Sequence, residues 1–246
     1  MLANLIAEHN IEVVISDNRY GLYSRKAKCF FITHQLNIQV PGGNRILQNL
    51  VFRLNSYLMR KFDAVWVPDY VGGLIGGELS LNKQLALPVT YLGNLSRFYA
   101  IQALPNLLLK AEVVAVLSGL EPQRQLLEDI LIEQMLASGK HCILVQGLPS
   151  GELVDVALSD KLRRINFLTG RQLASLYMQA ETLICRSGYS TVMDLVALGK
   201  RACLIPTPGQ SEQEYLAEHL SQQKWFCYQT QNEFDLNVAI DMLSGT

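Results

Sequence analysis

Short apolar runs alternate along this chain with longer stretches of helical period. The opening residues read as the end of a helix that passes into a strand over Glu12–Ser16. Further apolar runs predict strands at Cys29–Thr33, Ala64–Val67, Val113–Leu117, Cys142–Val145, Ile165–Leu168, Leu183–Cys185 and Ala202–Ile205. Runs of this length, bounded by turn residues, are what buried parallel strands use. Between them lie helical patterns. Over Asn44–Phe62, Ile46, Leu47, Leu50, Val51, Leu54, Tyr57 and Leu58 fall at helical spacing, with Asn49, Arg53, Ser56 and Arg60 on another face. Pro122 opens a second helix that Leu126, Leu127, Ile130 and Leu131 continue. Strands separated by helices predict an α/β chain with parallel sheets wound on both sides.

The punctuation refines this outline. Ser187-Gly188 breaks a strand, Ser187 or Ser190 is placed to cap the following helix, and Gly199 supplies its stop. Ser211 with Glu214 three residues on has the form of a capping box. Gly72-Gly73 and Gly76-Gly77 read as loop punctuation, since no Lys-Ser/Thr follows to make a phosphate loop. Leu87–Gly93 reads as a crossing between domains, giving residues 1–92 and 93–246.

Composition narrows the class. Hydrophobic residues are 49% and charged ones 17%, which excludes a disordered chain, and a net charge of −1 implies no pull toward nucleic acid. The five cysteines show no metal spacing. Cys29, Cys142, Cys185 and Cys203 fall in apolar runs and read as reduced core thiols of a cytoplasmic protein. No apolar stretch approaches the ~20 residues of a membrane-spanning helix, and no signal peptide opens the sequence.

Two turns carry candidate chemistry. Strand–turn–helix units point helix amides and a positive dipole end at the edge of a parallel sheet, a geometry that binds phosphate. One such turn is Ser187-Gly188; the other is Ser118-Gly119, directly after Val113–Leu117. Alone, the latter is a common strand-to-helix turn. Asp194, about one turn into its helix, reads either as favourable early-helix charge or as a carboxylate accepting hydrogen bonds from a ribose diol.

The run Cys185-Arg186-Ser187-Gly188, then Thr191-Val192, an acid at Asp194, a Pro-rich turn and Gln213, resembles the nucleotide-sugar domain of MurG-like glycosyltransferases, family 28 with the GT-B fold. The preceding helix agrees through Leu173, Ala174, Tyr177, Ala180 and Glu181. The resemblance implies two Rossmann-like domains with parallel sheets, the first lacking roughly its opening hundred residues by typical domain sizes. It implies transfer of a hexose (N-acetylglucosamine, glucose or galactose) from a UDP-sugar, with no metal and no cofactor beyond that donor. Ser118 and Gly119, paired with Ser187-Gly188, would face the nucleotide diphosphate, Leu168 the base and Asp194 the ribose. Arg186, Ser190 and Thr191 would belong to the same donor site. Gln210 and Gln213 would face the sugar, with Glu214 either beside them or spent as the capping-box partner of Ser211.

On the acceptor side, His34 and Asn37 match a His-Glu-Gln-Asn segment of the family, while Gln35 and Leu36 depart from it. His34 is thus either a structural strand-end residue or the one candidate for acceptor chemistry; the family's base belongs to the missing part. Partners implied are a saccharide or lipid-linked acceptor, a partner chain supplying the missing N-terminal strands, and peripheral contact with the cytoplasmic membrane face through the basic residues Arg45, Arg53, Arg60 and Lys61. A solvated helix face would carry the same residues. The alternatives are a partner-dependent or non-catalytic UDP-sugar-binding fragment and a nucleotide-sugar epimerase of the same fold.

Overall fold

A computed structural model describes residues 2–40, 45–82, 85–100, 111–149 and 151–244. The chain divides into two compact units, Met1–Leu95 and Ser96–Thr246. Both are built on parallel sheets, so the α/β expectation of two Rossmann-like domains holds.

In the first unit α1 (Leu2–Glu8) leads into β1 (Val13–Asp17), β2 (Lys28–Ile32), α2 (Arg45–Met59), β3 (Ala64–Val67) and β4 (Val89–Tyr91). The sheet order is β1-β2-β3-β4, all parallel. Alternation in β2 sets its two faces: Cys29 and Phe31 are buried in a core with Met59, Phe62, Val65 and Val67, while Phe30 stacks on Trp66 at 4.4 Å.

Helix α2 departs from its expected packing. Ile46, Leu50, Leu54 and Tyr57 are 82%, 62%, 58% and 62% exposed, so the apolar stripe faces outward. The buried side is centred on Asn55 and Met59. Asn55 Nδ2 donates to the carbonyls of Gln35 and Leu36, and its Oδ1 accepts from Tyr20 Oη at 2.6 Å. One face further along, Gln48 Nε2 donates to Ile38 O and its Oε1 accepts from Val40 N. These amides satisfy the loop after β2, whose buried carbonyls an apolar face would leave unpartnered. The described helix stops at Met59 and not at Phe62; Asn44 and the side chain of Arg45 lie outside the described residues.

The paired glycines have a structural reason. Asp69, fully buried, accepts from the amides of Tyr70, Ile75 and Gly76 and from Ser80 Oγ at 2.5 Å. The chain must wrap tightly around this carboxylate. A Cβ at Gly73, where φ is +70°, would lie 2.5 Å from Gly77 O.

The second unit contains β5 (Val113–Val116), α3 (Gln123–Ala137), β6 (Cys142–Val145), β7 (Asp155–Ala157), β8 (Leu162–Ile165) and α4 (Gly170–Gln179), then β9 (Thr182–Cys185), α5 (Tyr189–Leu198), β10 (Cys203–Leu204), α6 (Ser211–Gln222), β11 (Cys227–Tyr228) and α7 (Leu236–Ser244). Its sheet runs β11-β10-β9-β5-β6-β8-β7, with only β7 antiparallel among these strands. The strand expected at Ile165–Leu168 lies earlier: Leu162–Ile165 pairs with Cys142–Val145, and the outward Arg163, tied to Asp155, masks its pattern. All five cysteines are buried and unbridged, and Cys203 sits opposite Cys227 in register. Among the described residues no helix is long and apolar enough to cross a membrane.

Replacing Asp69 by Ala would leave the buried amides of Ile75 and Gly76 without an acceptor. The expected result is a loss of about 3 kcal/mol from the first unit, read as a shifted urea midpoint. A loss below about 1 kcal/mol would show that the loop is held by its glycines alone.

Candidate functional site

Strand β5 lies between β6 and β9. From β5 the chain winds outward through β6 and β8, then returns to β9 and winds outward the other way. The loops leaving β5 and β9 therefore diverge, as at the switch points where open α/β sheets bind ligands. Their last paired residues are Val116 and Cys185. Two residues on stand Ser118 and Ser187, followed by Gly119 and Gly188. The two candidate turns are thus neighbours at the switch point of one sheet.

Backbone geometry shapes the first turn. Gly119 has φ +106°, and a Cβ there would meet nothing within 4 Å, so conformation and not crowding calls for glycine. Gly147, in the loop after β6, has φ +69° and a virtual Cβ 2.2 Å from Leu117 O. Backbone is therefore stacked on backbone directly behind Ser118.

The second turn is held by a buried cation. Arg186, 1% exposed, donates from Nη1 to the carbonyls of Ile205 and Pro206 and from Nη2 to Gln123 O at 2.7 Å. Burial pulls its guanidinium down to about 10, still protonated at neutral pH. Ser187 Oγ donates to Gln213 O at 2.8 Å. It does not cap α5, and neither does Ser190: the cap position is Gly188, with no side-chain hydrogen bond. The first-turn amides at Ser190 and Thr191 therefore meet no capping side chain, and the helix end stays suited to an anion. Burial pushes the Cys185 thiol up to about 12, so it is no nucleophile.

The third turn follows β10. Gln213 Oε1 accepts from Thr207 N at 2.9 Å and its Nε2 donates to Gln210 Oε1 at 2.6 Å. The expected capping box does not form. Gln210 occupies the cap position, and Glu214 reaches back past it to Gly209 N at 2.9 Å. A capping box occurs instead at Thr169 and Gln172 on α4. Leu168, half-buried, lies in the loop just before that cap and not in a strand.

Asp194 is 7% exposed. Its Oδ1 accepts from Ser96 Oγ at 2.7 Å and its Oδ2 from Arg97 Nε at 3.1 Å. Arg97 is 58% exposed. Burial, with Cys185 and Asp194 nearby, pushes the Tyr177 hydroxyl well above its ordinary range. Ser96 and Arg97 were not legible as site residues, because the acid they serve lies almost a hundred positions away.

In the first unit, His34 is half-buried just after β2. Asn37 Nδ2 donates to the carbonyls of Glu78 and Leu81, each at 2.7 Å, so its amide holds the chain around Asp69. Among the described residues no cluster of three or more His, Cys, Asp or Glu side chains could hold a metal ion.

Residues 150–243 match the glycosyltransferase family 28 C-terminal domain. Among solved structures, the glycosyltransferase of kitacinnamycin is 16% identical, with a TM-score of 0.63, over 100% of this chain and 74% of that one. MurG of Acinetobacter baumannii is 13% identical, with a TM-score of 0.59, over 99% and 68%. The spinosyn rhamnosyltransferase SpnG, complexed with thymidine diphosphate, is 15% identical, with a TM-score of 0.58, over 99% and 67%. At these identities the likeness is one of fold. No curated protein matches the chain.

Arg186→Met would leave three main-chain carbonyls without their donor. It should cost about 3 kcal/mol or more in urea unfolding of the second unit, and an unaltered midpoint would mean that water replaces the guanidinium.

Proposed function

We propose that this chain, whose residues 150–243 match the glycosyltransferase family 28 C-terminal domain, transfers a hexose from a UDP-sugar to an acceptor hydroxyl. The observation that carries this reading is the pair of Ser-Gly turns at the β5/β9 switch point, beside the uncapped start of α5. Ser118, Gly119, Ser187, Gly188, Ser190 and Thr191 would meet the diphosphate, with Arg186 holding the turns in place from beneath. Leu168 would pack on the base, and Gln210, Gln213 and Glu214 would face the sugar. The acceptor oxygen forms a bond to the anomeric carbon as the bond to the diphosphate oxygen breaks, and the acceptor proton passes to a base. Backbone amides and the α5 dipole stabilise the departing anion in place of a metal. His34 is the candidate that the acceptor-side resemblance offers for such a base.

Asp194 has lone pairs beyond those that Ser96 and Arg97 engage, so it can accept a ribose hydroxyl as well. Deoxyuridine diphosphate differs from UDP only in lacking the 2′-hydroxyl. Calorimetry with UDP, deoxyuridine diphosphate and ADP should show UDP bound most tightly, the deoxy ligand about tenfold weaker, and ADP not at all. Asp194→Ala should close the gap between UDP and deoxyuridine diphosphate. Equal affinity for UDP and ADP would sink the reading, and a gap that survives the substitution would assign Asp194 to scaffold.

The acceptor is proposed to be lipid-linked. Ile46, Leu50, Leu54 and Tyr57 form an outward apolar stripe, and exposed Arg53, Arg60 and Lys61 accompany it. Such a face suits an anionic bilayer surface. The open edge of β1, with Val13 and Ile15 47% and 53% exposed, supports the companion reading that strands of a partner chain extend this sheet. Co-sedimentation should be stronger with anionic than neutral vesicles, fall at high salt, and weaken in Leu50→Glu. Binding that ignores lipid charge would favour a soluble acceptor.

A further inference from the structure

Cys203 and Cys227 stand in register across β10 and β11, in the core that α3 and α7 cover. Neighbouring strands lie about 4.8 Å apart, inside the window of about 4.4–6.8 Å that a disulfide needs between Cα atoms. In-register residues of neighbouring strands share one face, so the two thiols meet there, unbridged.

The pair is not symmetric. The thiols hydrogen-bond to each other, which holds Cys227 below the usual thiol range and, together with burial, pushes Cys203 far above it. Arg201 adds to the fall at Cys227. Cys203 is fully buried, whereas Cys227 lies on the outermost strand and keeps 9% exposure. That strand spans two residues and pairs on one side only. Cys227 is thus placed as the sulfur that a small oxidant reaches first, with Cys203 as the resolving thiol behind it. The other three cysteines lack this arrangement. Cys185 is in register with Leu204, so it points to the opposite face, and Cys29 and Cys142 oppose no cysteine.

We propose that Cys203 and Cys227 form a redox-active dithiol that a small peroxide oxidises to a disulfide, independently of the donor site. The Cys227 thiolate attacks one peroxide oxygen, the O–O bond breaks, and the departing hydroxide takes up a proton to become water. The Cys203 sulfur then attacks the resulting sulfenic sulfur, the S–O bond breaks, and the oxygen leaves as water with the Cys203 proton. Two thiols lose two electrons, and the peroxide gains them. The new bond tethers the short edge strand to β10, whose exit carries the third turn.

Peptide mapping of the full chain tests this: the reduced protein is treated with hydrogen peroxide, alkylated with N-ethylmaleimide and digested with trypsin without reductant. Cleavage after Arg201 and Lys224 puts Cys203 in residues 202–224 and Cys227 in residues 225–246. The expected product joins these two peptides, separates again with dithiothreitol, and leaves Cys29, Cys142 and Cys185 as thiols. Cys203→Ser should instead leave a Cys227 sulfenic acid that dimedone labels, and Cys227→Ser should leave Cys203 unoxidised. Should either variant fail to fold, the map of the unaltered chain decides alone. Peptides that stay unlinked, a link that forms only in urea, a link between two chains on a non-reducing gel, or a bond from either cysteine to Cys142 or Cys185 would overturn the proposal.

Discussion

The second unit depends on one buried cation. Arg186 leaves the sheet at the end of β9, yet its guanidinium binds carbonyls that belong to the end of β10 and to the start of α3. Those segments adjoin all three turns of the candidate crevice. Among the described residues its hydrogen bonds all go to main-chain carbonyls, whose dipoles offset part of the cost of taking the charge out of water, and the guanidinium's lowered proton affinity records that cost. Because Arg186 gathers the loops from below, the serines and glycines above need not hold one another. Ser187 can turn to Gln213, and α5 can begin without a capping side chain. An open helix end is a loss to stability in isolation and a gain once an anion is present.

The first unit uses the inverse device. There a buried carboxylate, Asp69, gathers backbone amides, and Asn37 binds carbonyls of the same segment. In both units irregular chain is ordered by one polar group that answers several main-chain partners, as the need to satisfy buried peptide groups requires.

Much of this was readable from residue order. Strands β6 and β9 are buried along their whole length, so they stand out as apolar runs. The Ser-Gly turns were readable because a strand, a glycine and a helix follow at once. Strand β8 was misplaced because Arg163 and Arg164 interrupt its apolar pattern, and β11 spans only two residues. The orientation of α2 was not readable at all. Periodicity gives a stripe but not its neighbour, and Asn55 and Gln48 won the inner face through hydrogen bonds to a loop that the pattern does not describe. The partners of Asp194 were hidden for a related reason: nothing local ties Ser96 and Arg97 to a helix so far along the chain.

The contact between Gly147 and Leu117 O has a consequence for how such a chain can change over time. Two neighbouring loops share one backbone surface there, so an insertion in either displaces the other. Loops normally absorb insertions and deletions at little cost, but here the turn behind Ser118 is barred from that freedom. The turn after β10 is held differently, by side-chain hydrogen bonds of Gln210 and Gln213 that can be exchanged one at a time. The two loops thus differ in how far their lengths can change without disturbing a neighbour.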